Sequence, residues 1–303
     1  MIDFKSVKIQ DKKIYEKYLA EDCQRGCEFS FANLYIWGRQ KIAFAEKHIV
    51  IFSQFNRRSV YPYPVGADDK KKALDAIIKD SSERGIPCRI TGLNQEAERF
   101  ISEAYPDLFS FHCDRDSFDY VYHIDDLADL KGKKYQRKRN HFNRFCVNNP
   151  EYSVEPVSES NVGKMLEFAE RWYEKKLAEN PNADFQMEQA AIAKALHNYK
   201  ALELEGLSLA VDGEIVAITL GSRLSHDTFD VHFEKALAEV DGAYTAINCE
   251  FAKYIRSKYS EIKFLNREED MGIEGLRKAK ESYYPHHMVE KCWACLREEG
   301  YDY

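Results

Sequence analysis

Two apolar segments joined by Asp212-Gly213 restrict the fold more than any other feature of the sequence. The segments are residues 207–211 and 215–222, and Asp-Gly between two apolar runs is a strong signal for a two-residue β-hairpin turn. Residues 228–233 then alternate like a third antiparallel strand. The second half of the chain is therefore predicted to contain an antiparallel sheet.

A weak internal repeat relates the two halves of the chain. A predicted helix, a short strand and a Leu-Asn pair followed by acidic residues occur at 69–96 and again at 243–269, each after several predicted strands. Since domains commonly contain about 100–150 residues, two such units fit a chain of 303 residues. We therefore predict an α+β (mixed α/β) fold with domains at residues 1–128 and 129–303, each a mixed sheet flanked by helices.

Composition limits the class of protein. Hydrophobic residues make up 44% of the chain and aromatic residues 13%, which is enough for extensive cores. No apolar run follows Met1, and no window approaches the roughly 18 apolar residues of a membrane span. A signal peptide and a transmembrane segment are therefore not expected, and a cytoplasmic location is.

The eight cysteines are expected to be reduced and mostly buried, because disulfides are rare in cytosolic proteins. Cys292 and Cys295 form a CxxC motif, but no second CxxC completes a zinc site. Cys23 and Cys27 are the alternative source of a second pair. We expect no metal and no bound cofactor.

Residues 131–145 form a basic island. Seven Lys or Arg residues and no acid give this stretch +7, whereas the whole chain carries −7, which leaves −14 on the rest. Wound as a helix, the stretch places Tyr135 and Phe142 on one face, and Lys138 falls on the same apolar face. An ammonium there is costly unless it is paired. We interpret Lys138 and Arg139 as an anion site in a cleft, with a solvated basic face as the alternative.

The order of predicted elements after residue 150 resembles that of the GNAT acyltransferases, whose mixed sheet splays near its middle strands. In that family a glycine-rich loop and the N-terminus of the following helix hold the coenzyme A diphosphate. The corresponding segment of this chain, 234–244, has one glycine and three acidic residues. This composition disfavours acetyl-coenzyme A as a substrate.

Three segments resemble soluble bacterial proteins related to the C-terminal domain of lysylphosphatidylglycerol synthase, a phosphatidylglycerol lysyltransferase. They are KKYQRKRNHFNRF at 133–145, HFEKALAEVDGAY at 232–244 and NREEDMGIEGLRKAKESYYP at 266–285. The resemblance covers nearly the whole chain and implies two tandem GNAT-like domains, as in the Fem-type peptidyltransferases. It also implies transfer of an aminoacyl group from aminoacyl-tRNA to a lipid headgroup or a peptidoglycan precursor. The sequence departs from these relatives by lacking a membrane-spanning region that would deliver a lipid acceptor.

An aminoacyl ester is already activated, so its transfer requires positioning, deprotonation of the acceptor and stabilisation of an oxyanion, but no covalent nucleophile. We predict Asp270 and Glu234 as catalytic residues. Asp270 is a candidate base or a ligand for the cationic amine of the aminoacyl group, and capping of the helix after Gly272 is the alternative. Glu234 ends a predicted strand, where GNAT proteins have their cleft. His232 is interpreted as a satisfied histidine.

The predicted substrate-binding residues occupy strand ends and helix faces around the expected cleft: Lys138, Arg139, Lys235, Tyr244, Asn248, Arg277 and Lys280. Arg277 and Lys280 share a helix face and can hold a phosphate or carboxylate, unless surface ion pairs with nearby glutamates occupy them. The predicted nucleic-acid contacts lie on the outer face of the basic island: Lys133, Arg137 and Arg144.

The sequence therefore predicts an acyltransferase of the aminoacyltransferase type, with aminoacyl-tRNA as co-substrate and tRNA as a partner. The acceptor, an amine or hydroxyl of a small molecule or lipid headgroup, is left open. Two alternatives remain: an acyl-coenzyme A-dependent N-acyltransferase acting on a small amine, and a non-catalytic binding protein with the same fold.

Overall fold

The computed structural model describes residues 1–22, 24–55, 58–67 and 69–297. The first seven strands of these residues are β1 (Lys5–Ser6), β2 (Gln40–Ala45), β3 (His48–Phe55), β4 (Arg58–Pro62), β5 (Arg89–Leu93), β6 (Phe109–Cys113) and β7 (Asp119–His123). The next seven are β8 (Ser153–Pro156), β9 (Glu205–Val211), β10 (Glu214–Arg223), β11 (Thr228–Ala236), β12 (Phe264–Asn266), β13 (His287–Val289) and β14 (Cys292–Leu296).

The helices of the first half are α1 (Lys12–Ala20), α2 (Phe31–Trp37), α3 (Lys70–Arg84), α4 (Gln95–Ala104) and α5 (Ile124–Asp129). Those of the second half are α6 (Gln136–Asn148), α7 (Val162–Glu179), α8 (Gln186–His197), α9 (Tyr199–Leu202), α10 (Ala243–Lys258) and α11 (Glu274–Glu281). In the part of the chain that the structure describes, none of them is long and apolar enough to cross a membrane.

The chain divides into two compact units. Unit 1 contains Met1–Asp119, Glu269–Ile273 and Met288–Tyr303, and unit 2 contains Tyr120–Glu268 and Glu274–His287. Neither unit is one continuous segment, because the chain returns twice to unit 1 after residue 268. The predicted boundary between residues 128 and 129 stays a prediction.

Each unit contains a seven-stranded mixed sheet. The first sheet has the order β1-β2-β3-β4-β5-β14-β6, and the second has the order β13-β7-β12-β11-β10-β9-β8. Both combine antiparallel pairs with a parallel pair, which is β4–β5 in the first sheet and β11–β12 in the second. The predicted α+β class, with two mixed sheets flanked by helices, is confirmed.

The predicted hairpin and the internal repeat both have structural counterparts. β9 and β10 pair around Asp212 and Gly213, whose φ angles of 52° and 83° are those of the predicted tight turn. The repeat falls on two β-α-β units, β4-α3-β5 and β11-α10-β12, each preceded by antiparallel strands. Asn94 and Asn266 of the repeated Leu-Asn pairs each accept a backbone hydrogen bond, from Ala97 and Glu268 respectively.

A buried lysine joins the separate segments of unit 1. Lys291 Nζ lies 2.7 Å from Asp119 Oδ1, 2.7 Å from Glu269 Oε2 and 3.3 Å from Glu28 Oε2. Burial alone would lower the pKa of Lys291, but the surrounding acidic groups hold it well above its usual range. This ammonium therefore ties the N-terminal part, residues 269–273 and the C-terminal strand together electrostatically.

The expectation that the chain contains no disulfide was wrong for one pair. Cys113 of β6 and Cys292 of β14 lie opposite each other in the antiparallel ladder, with Cα atoms 4.2 Å apart, and form a disulfide. They are separated by 179 residues, so only the insertion of β14 beside β6 brings them together. Cys295 of the CxxC motif is buried. Cys23, considered as a source of metal ligands, lies outside the described residues.

In unit 2, α6 packs directly against the beginning of α10. Gly242 precedes α10 with a φ of 84°, and a Cβ atom on it would lie 2.6 Å from the carbonyl oxygen of His141 and 2.9 Å from Cβ of Phe145. Glycine is required here both by its backbone angle and by the close approach of α6. The backbone of the basic helix thus covers the N-terminus of α10.

Two glycine variants test this packing. Gly242→Ala and Gly213→Ala impose the same strain, since both glycines have φ near +84°, but a Cβ at Gly213 meets nothing within 4 Å. We expect the strained backbone angle to lower the free energy of unfolding of each variant by about 1–2 kcal/mol. Overpacking should lower that of Gly242→Ala by about 1–3 kcal/mol more. Urea unfolding of both variants measures the difference; equal losses would contradict the seating of α6 on Gly242.

Candidate active site at the divergence of two strands

The parallel pair at the centre of the second sheet separates part way along its length. β12 pairs with β11 through Asn266 and Asp230, where the pairing ends, whereas β11 continues for six residues to Ala236. Beyond this point side chains, not backbone hydrogen bonds, connect the two chain segments. A divergence of parallel strands creates a cleft at the carboxyl ends of the strands, a common position for ligand sites.

A buried ion pair spans this divergence. Glu234 of β11 accepts a hydrogen bond of 2.8 Å from Arg267 Nη2, and its other oxygen accepts one of 3.0 Å from Asn248 Nδ2 of α10. Both charged side chains are almost fully shielded, with 11% of Glu234 and 13% of Arg267 exposed. Burial by itself would lower the pKa of Arg267, but the carboxylate of Glu234 raises it above the usual value.

Aromatic rings and a second cation complete the cluster. The Arg267 guanidinium lies 5.0 Å from the ring centroid of Tyr283 and 5.7 Å from that of Tyr122. Lys138 Nζ lies 3.8 Å from the Tyr283 centroid, which is within cation–π distance. Tyr283 therefore contacts two cations, one from α6 and one from the segment after β12.

Lys138 is the unusual group of the cluster. Burial lowers its pKa to about 8, Arg267 and Arg137 act in the same direction, and Glu234 opposes them. Its ammonium makes no hydrogen bond or ion pair with any described residue. Lys138 thus interacts electrostatically with the Glu234 carboxylate, and the sequence-based interpretation of Lys138 as part of an anion site in a cleft stays a prediction.

Two further polar atoms of the cluster lack partners. Arg267 Nη1 and Asn248 Oδ1 are buried and form no hydrogen bond within the described part of the chain. Buried polar groups are satisfied in the great majority of cases, so such atoms call for an explanation, commonly a ligand or an ordered water. Together with the Lys138 ammonium, they provide two donors and one acceptor around a fixed carboxylate.

Two other predicted substrate-binding residues, Lys235 and Tyr244, lie near Glu234 in sequence but have different surroundings. Lys235, next to Glu234 on β11, forms an ion pair of 2.7 Å with Glu188 and lies 4.4 Å from the Trp172 ring centroid, so it belongs to the packing of α7 and α8. Tyr244, in the first turn of α10, is 39% exposed. Neither of them contacts the Glu234 carboxylate directly.

The residues predicted on α11 also have separate positions. The buried ammonium of Lys280 donates to the carbonyl oxygens of Arg267 and Glu268, directly after β12. Lys280 therefore fixes the backbone that carries Arg267. Arg277 is half-buried on the same helix.

Asp270 and Arg139 each have partners of their own. Asp270 belongs to unit 1, where it accepts a hydrogen bond from the amide of Gly272 and forms an ion pair of 3.4 Å with Arg115. Arg139 donates to the carbonyl oxygens of Leu130 and Gly132.

The outer face of α6 is only partly available for phosphates. Arg144 forms an ion pair of 2.6 Å with Asp241, so it is engaged within unit 2. Lys133 and Arg137 are exposed and form no ion pair with a described residue. Two of the three predicted nucleic-acid contacts are thus accessible.

Sequence reasoning missed Arg267 and Tyr283 as site residues. Both lie in the segment 266–285 that carries the most specific part of the family resemblance. The family resemblance of that segment was the signal that could have identified them. Only the fold shows that Arg267 and Tyr283 lie near Lys138, which precedes them by more than a hundred residues.

The comparisons with known proteins agree with this architecture. The family model for phosphatidylglycerol lysyltransferase, C-terminal, matches residues 23–295. A structure of a conserved protein of unknown function from Bacteroides thetaiotaomicron VPI-5482 is 37% identical, covers 98% of this chain and 100% of its own, and has a TM-score of 0.92. No functionally curated protein matches the chain.

Two more distant structures share the fold. L-PGS from Bacillus licheniformis is 15% identical with a TM-score of 0.68, and the match covers 95% of this chain and 93% of that one. FemX is 10% identical with a TM-score of 0.59, and the match covers 98% of both chains. With the family model matching residues 23–295, the chain belongs to the phosphatidylglycerol lysyltransferase C-terminal family.

Proposed function

We propose that this protein is an aminoacyltransferase that uses aminoacyl-tRNA as donor, and that transfer takes place at the divergence of β11 and β12. Its family and fold support acyl transfer as the reaction class. The observation that carries the proposal is the Lys138 ammonium, unpaired among the described residues, beside the Glu234–Arg267 ion pair. The amine or hydroxyl acceptor is inferred only as a class.

Lys138 suits the role of general base. A lysine with a pKa of about 8 is partly neutral at physiological pH, and the best catalytic pKa lies near the working pH. In this reaction the acceptor attacks the ester carbonyl and its proton passes to neutral Lys138. The bond to the ribose oxygen then breaks, and that oxygen takes the proton. Arg267 Nη1 is a donor positioned to stabilise the oxyanion between these steps.

Glu234, predicted from sequence as a catalytic residue, suits cation binding better than proton transfer. Both of its oxygens already accept hydrogen bonds, from Arg267 and Asn248, so neither is left unengaged to receive a proton from an acceptor. A carboxylate held in this way can attract the ammonium of an aminoacyl group. We therefore assign Glu234 to donor binding and Asn248 to its orientation.

The exposed part of α6, together with the residues directly before it, is the proposed tRNA contact. Lys133 and Arg137 can neutralise phosphates, whereas the ion pair with Asp241 removes Arg144 from that role. With only these two residues in contact with phosphates, the affinity for tRNA should fall as the salt concentration rises. The fall should be less steep than it would be if all seven basic residues of the island contacted phosphates.

The acyl-coenzyme A alternative is less well supported. A diphosphate would need the N-terminus of α10, but the His141 carbonyl lies against Gly242 there. The neighbouring acids Glu239 and Asp241 also repel phosphate, although each pairs with a basic residue. The binding-protein alternative differs from the proposal only in lacking turnover.

Transfer from aminoacyl-tRNA tests the proposal. We expect purified protein to accelerate the loss of label from a radiolabelled aminoacyl-tRNA pool when candidate amines and alcohols are present. Lys138→Met should lower the single-turnover rate by about 100- to 10,000-fold while leaving tRNA binding nearly unchanged. The matched variant Lys133→Met should leave that rate intact at saturation, since Lys133 does not act on the pKa of Lys138, and should reduce the slope of log K against log salt by about 0.7–0.9.

The outcomes separate the three functions. Binding without ester loss in any acceptor mixture would favour the non-catalytic alternative. No binding at low salt, combined with a thermal shift on addition of acyl-coenzyme A thioesters, would favour the N-acyltransferase and contradict the proposal.

Titration of Lys138 tests its environment directly. After ¹³C-dimethylation of lysines, the Lys138 signal in NMR spectra should titrate near pH 8, because burial and Arg267 oppose its charged form. Glu234→Gln removes an attractive charge and should lower this pKa further, whereas Arg137→Gln removes a repulsive one and should raise it. Titration near the ordinary lysine value of about 10.4 would contradict the described position of Lys138.

A further inference from the structure

We propose that Asp230, His232 and Glu268 form a binding site for a divalent transition-metal ion in unit 2. His232 Nδ1 lies 3.4 Å from Asp230 Oδ2 and 3.2 Å from Glu268 Oε1. One ligand atom from each of the three residues lies within 4.8 Å of the other two. Imidazole and carboxylate groups are common ligands of zinc and related ions.

The separations fit ligands of one ion better than ordinary hydrogen bonds. Two ligand atoms that are each about 2.1 Å from a metal lie about 3.0–3.4 Å apart at octahedral or tetrahedral angles. An N–H···O hydrogen bond is usually about 2.7–3.2 Å long. The two distances from His232 Nδ1, 3.4 Å to Asp230 and 3.2 Å to Glu268, both lie in the range expected for two ligands of one metal. The distance to Asp230 is also longer than a usual hydrogen bond.

Ser222 supplies a second and independent feature of a metal site. Its Oγ lies 2.8 Å from His232 Nε2, the ring nitrogen that faces away from the two carboxylates. Histidines that bind a metal through one nitrogen almost always use the other in a hydrogen bond, which fixes the tautomer. With Ser222 accepting from Nε2–H, Nδ1 would carry the lone pair that a metal requires.

The fold explains how these side chains meet. The register between β10 and β11 shifts between Leu220 and Gly221, which pair with Phe233 and Val231, so His232 has no paired residue in the β10–β11 ladder. Such bulges redirect side chains and are frequent beside functional sites. Glu268 comes from the segment after β12, so a bound ion would connect the two strands beyond the end of their pairing.

Burial and charge also favour a divalent ion. The side chain of Asp230 is 0% exposed, that of His232 1% and that of Glu268 20%, so the site is shielded and reaches solvent at Glu268. A buried carboxylate next to a largely shielded one attracts cations, because burying a charge is costly unless it is paired. A divalent ion bound between them would contribute to that pairing. In unit 1 a comparable group, Cys27, Asp119 and Glu269, already surrounds the ammonium of Lys291.

Metal titration of the full-length protein tests the inference without any acyl donor. After dialysis against chelator, we expect calorimetry to show one equivalent of Zn²⁺ bound and Co²⁺ to give a visible ligand-field spectrum. His232→Gln and Glu268→Gln should weaken Zn²⁺ binding by more than the roughly 10- to 100-fold that loss of an outer-shell partner costs. Ser222→Ala should weaken it by about 10-fold.

The matched control is His286→Gln/His287→Gln, which removes the adjacent histidines whose Nδ1 atoms lie 2.8 Å apart. This variant should bind Zn²⁺ like the wild type. Binding lost in this control but retained in folded Glu268→Gln would overturn the proposal, and so would absence of binding to the wild type. Labelling of Ser222 by a fluorophosphonate in metal-free protein would also overturn it, because Ser222, His232 and Glu268 would then act as nucleophile, base and orienting acid.

Discussion

The end of backbone pairing between β11 and β12 is the constraint on which the rest of unit 2 depends. Up to Asp230 and Asn266 the strands are neighbours in one ladder, and after them the Glu234–Arg267 ion pair bridges the gap. A buried ion pair gains little net stability, because desolvation offsets most of its attraction, yet removing one partner costs about 3–5 kcal/mol. Such a pair stabilises one particular geometry more than it stabilises the fold.

That geometry sets the electrostatic environment of Lys138. Burial and the positive charge of Arg267 both disfavour the ammonium, and Glu234 moderates them. Since Glu234 is held by one hydrogen bond from Arg267 and another from Asn248, its carboxylate cannot move freely to neutralise Lys138. The Tyr283 ring, which contacts both cations, provides a weaker, non-ionic contact in place of a counter-ion. The same pair that bridges the strands thus helps to set the lowered pKa of Lys138.

Local signals allowed the sequence to predict much of the fold. The turn at Asp212-Gly213 depends on backbone angles that few residues adopt, so it could be recognised from two letters. The repeated Leu-Asn pairs ended two equivalent β-α-β units. Lys138 was recognised because a cation interrupted an apolar helix face. The disulfide of Cys113 and Cys292 could not be predicted, because it depends on the insertion of the last described strand into the first sheet.

The site residues were harder to predict for the same reason. Lys235 and Glu234 are adjacent in sequence, but the strand sends their side chains to different partners, and only Glu234 meets Arg267. Arg267 is the first of four consecutive charged residues, and the sequence does not indicate which of them belongs to the site. That depends on which strand lies beside this segment in the folded chain, which is a matter of tertiary structure.

Consecutive residues after β12 serve two networks. Arg267 joins the cluster with Lys138, and Glu268 joins His232, while the ammonium of Lys280 binds the backbone carbonyls of both. The ammonium of Lys280 holds this segment through its two carbonyl contacts, and the predicted binding of substrate by Lys280 stays a prediction. Because one short backbone segment carries both side chains, a displacement of it would alter the ion pair and the histidine cluster together. The divergence of the strands therefore acts as one structural element with two chemical environments.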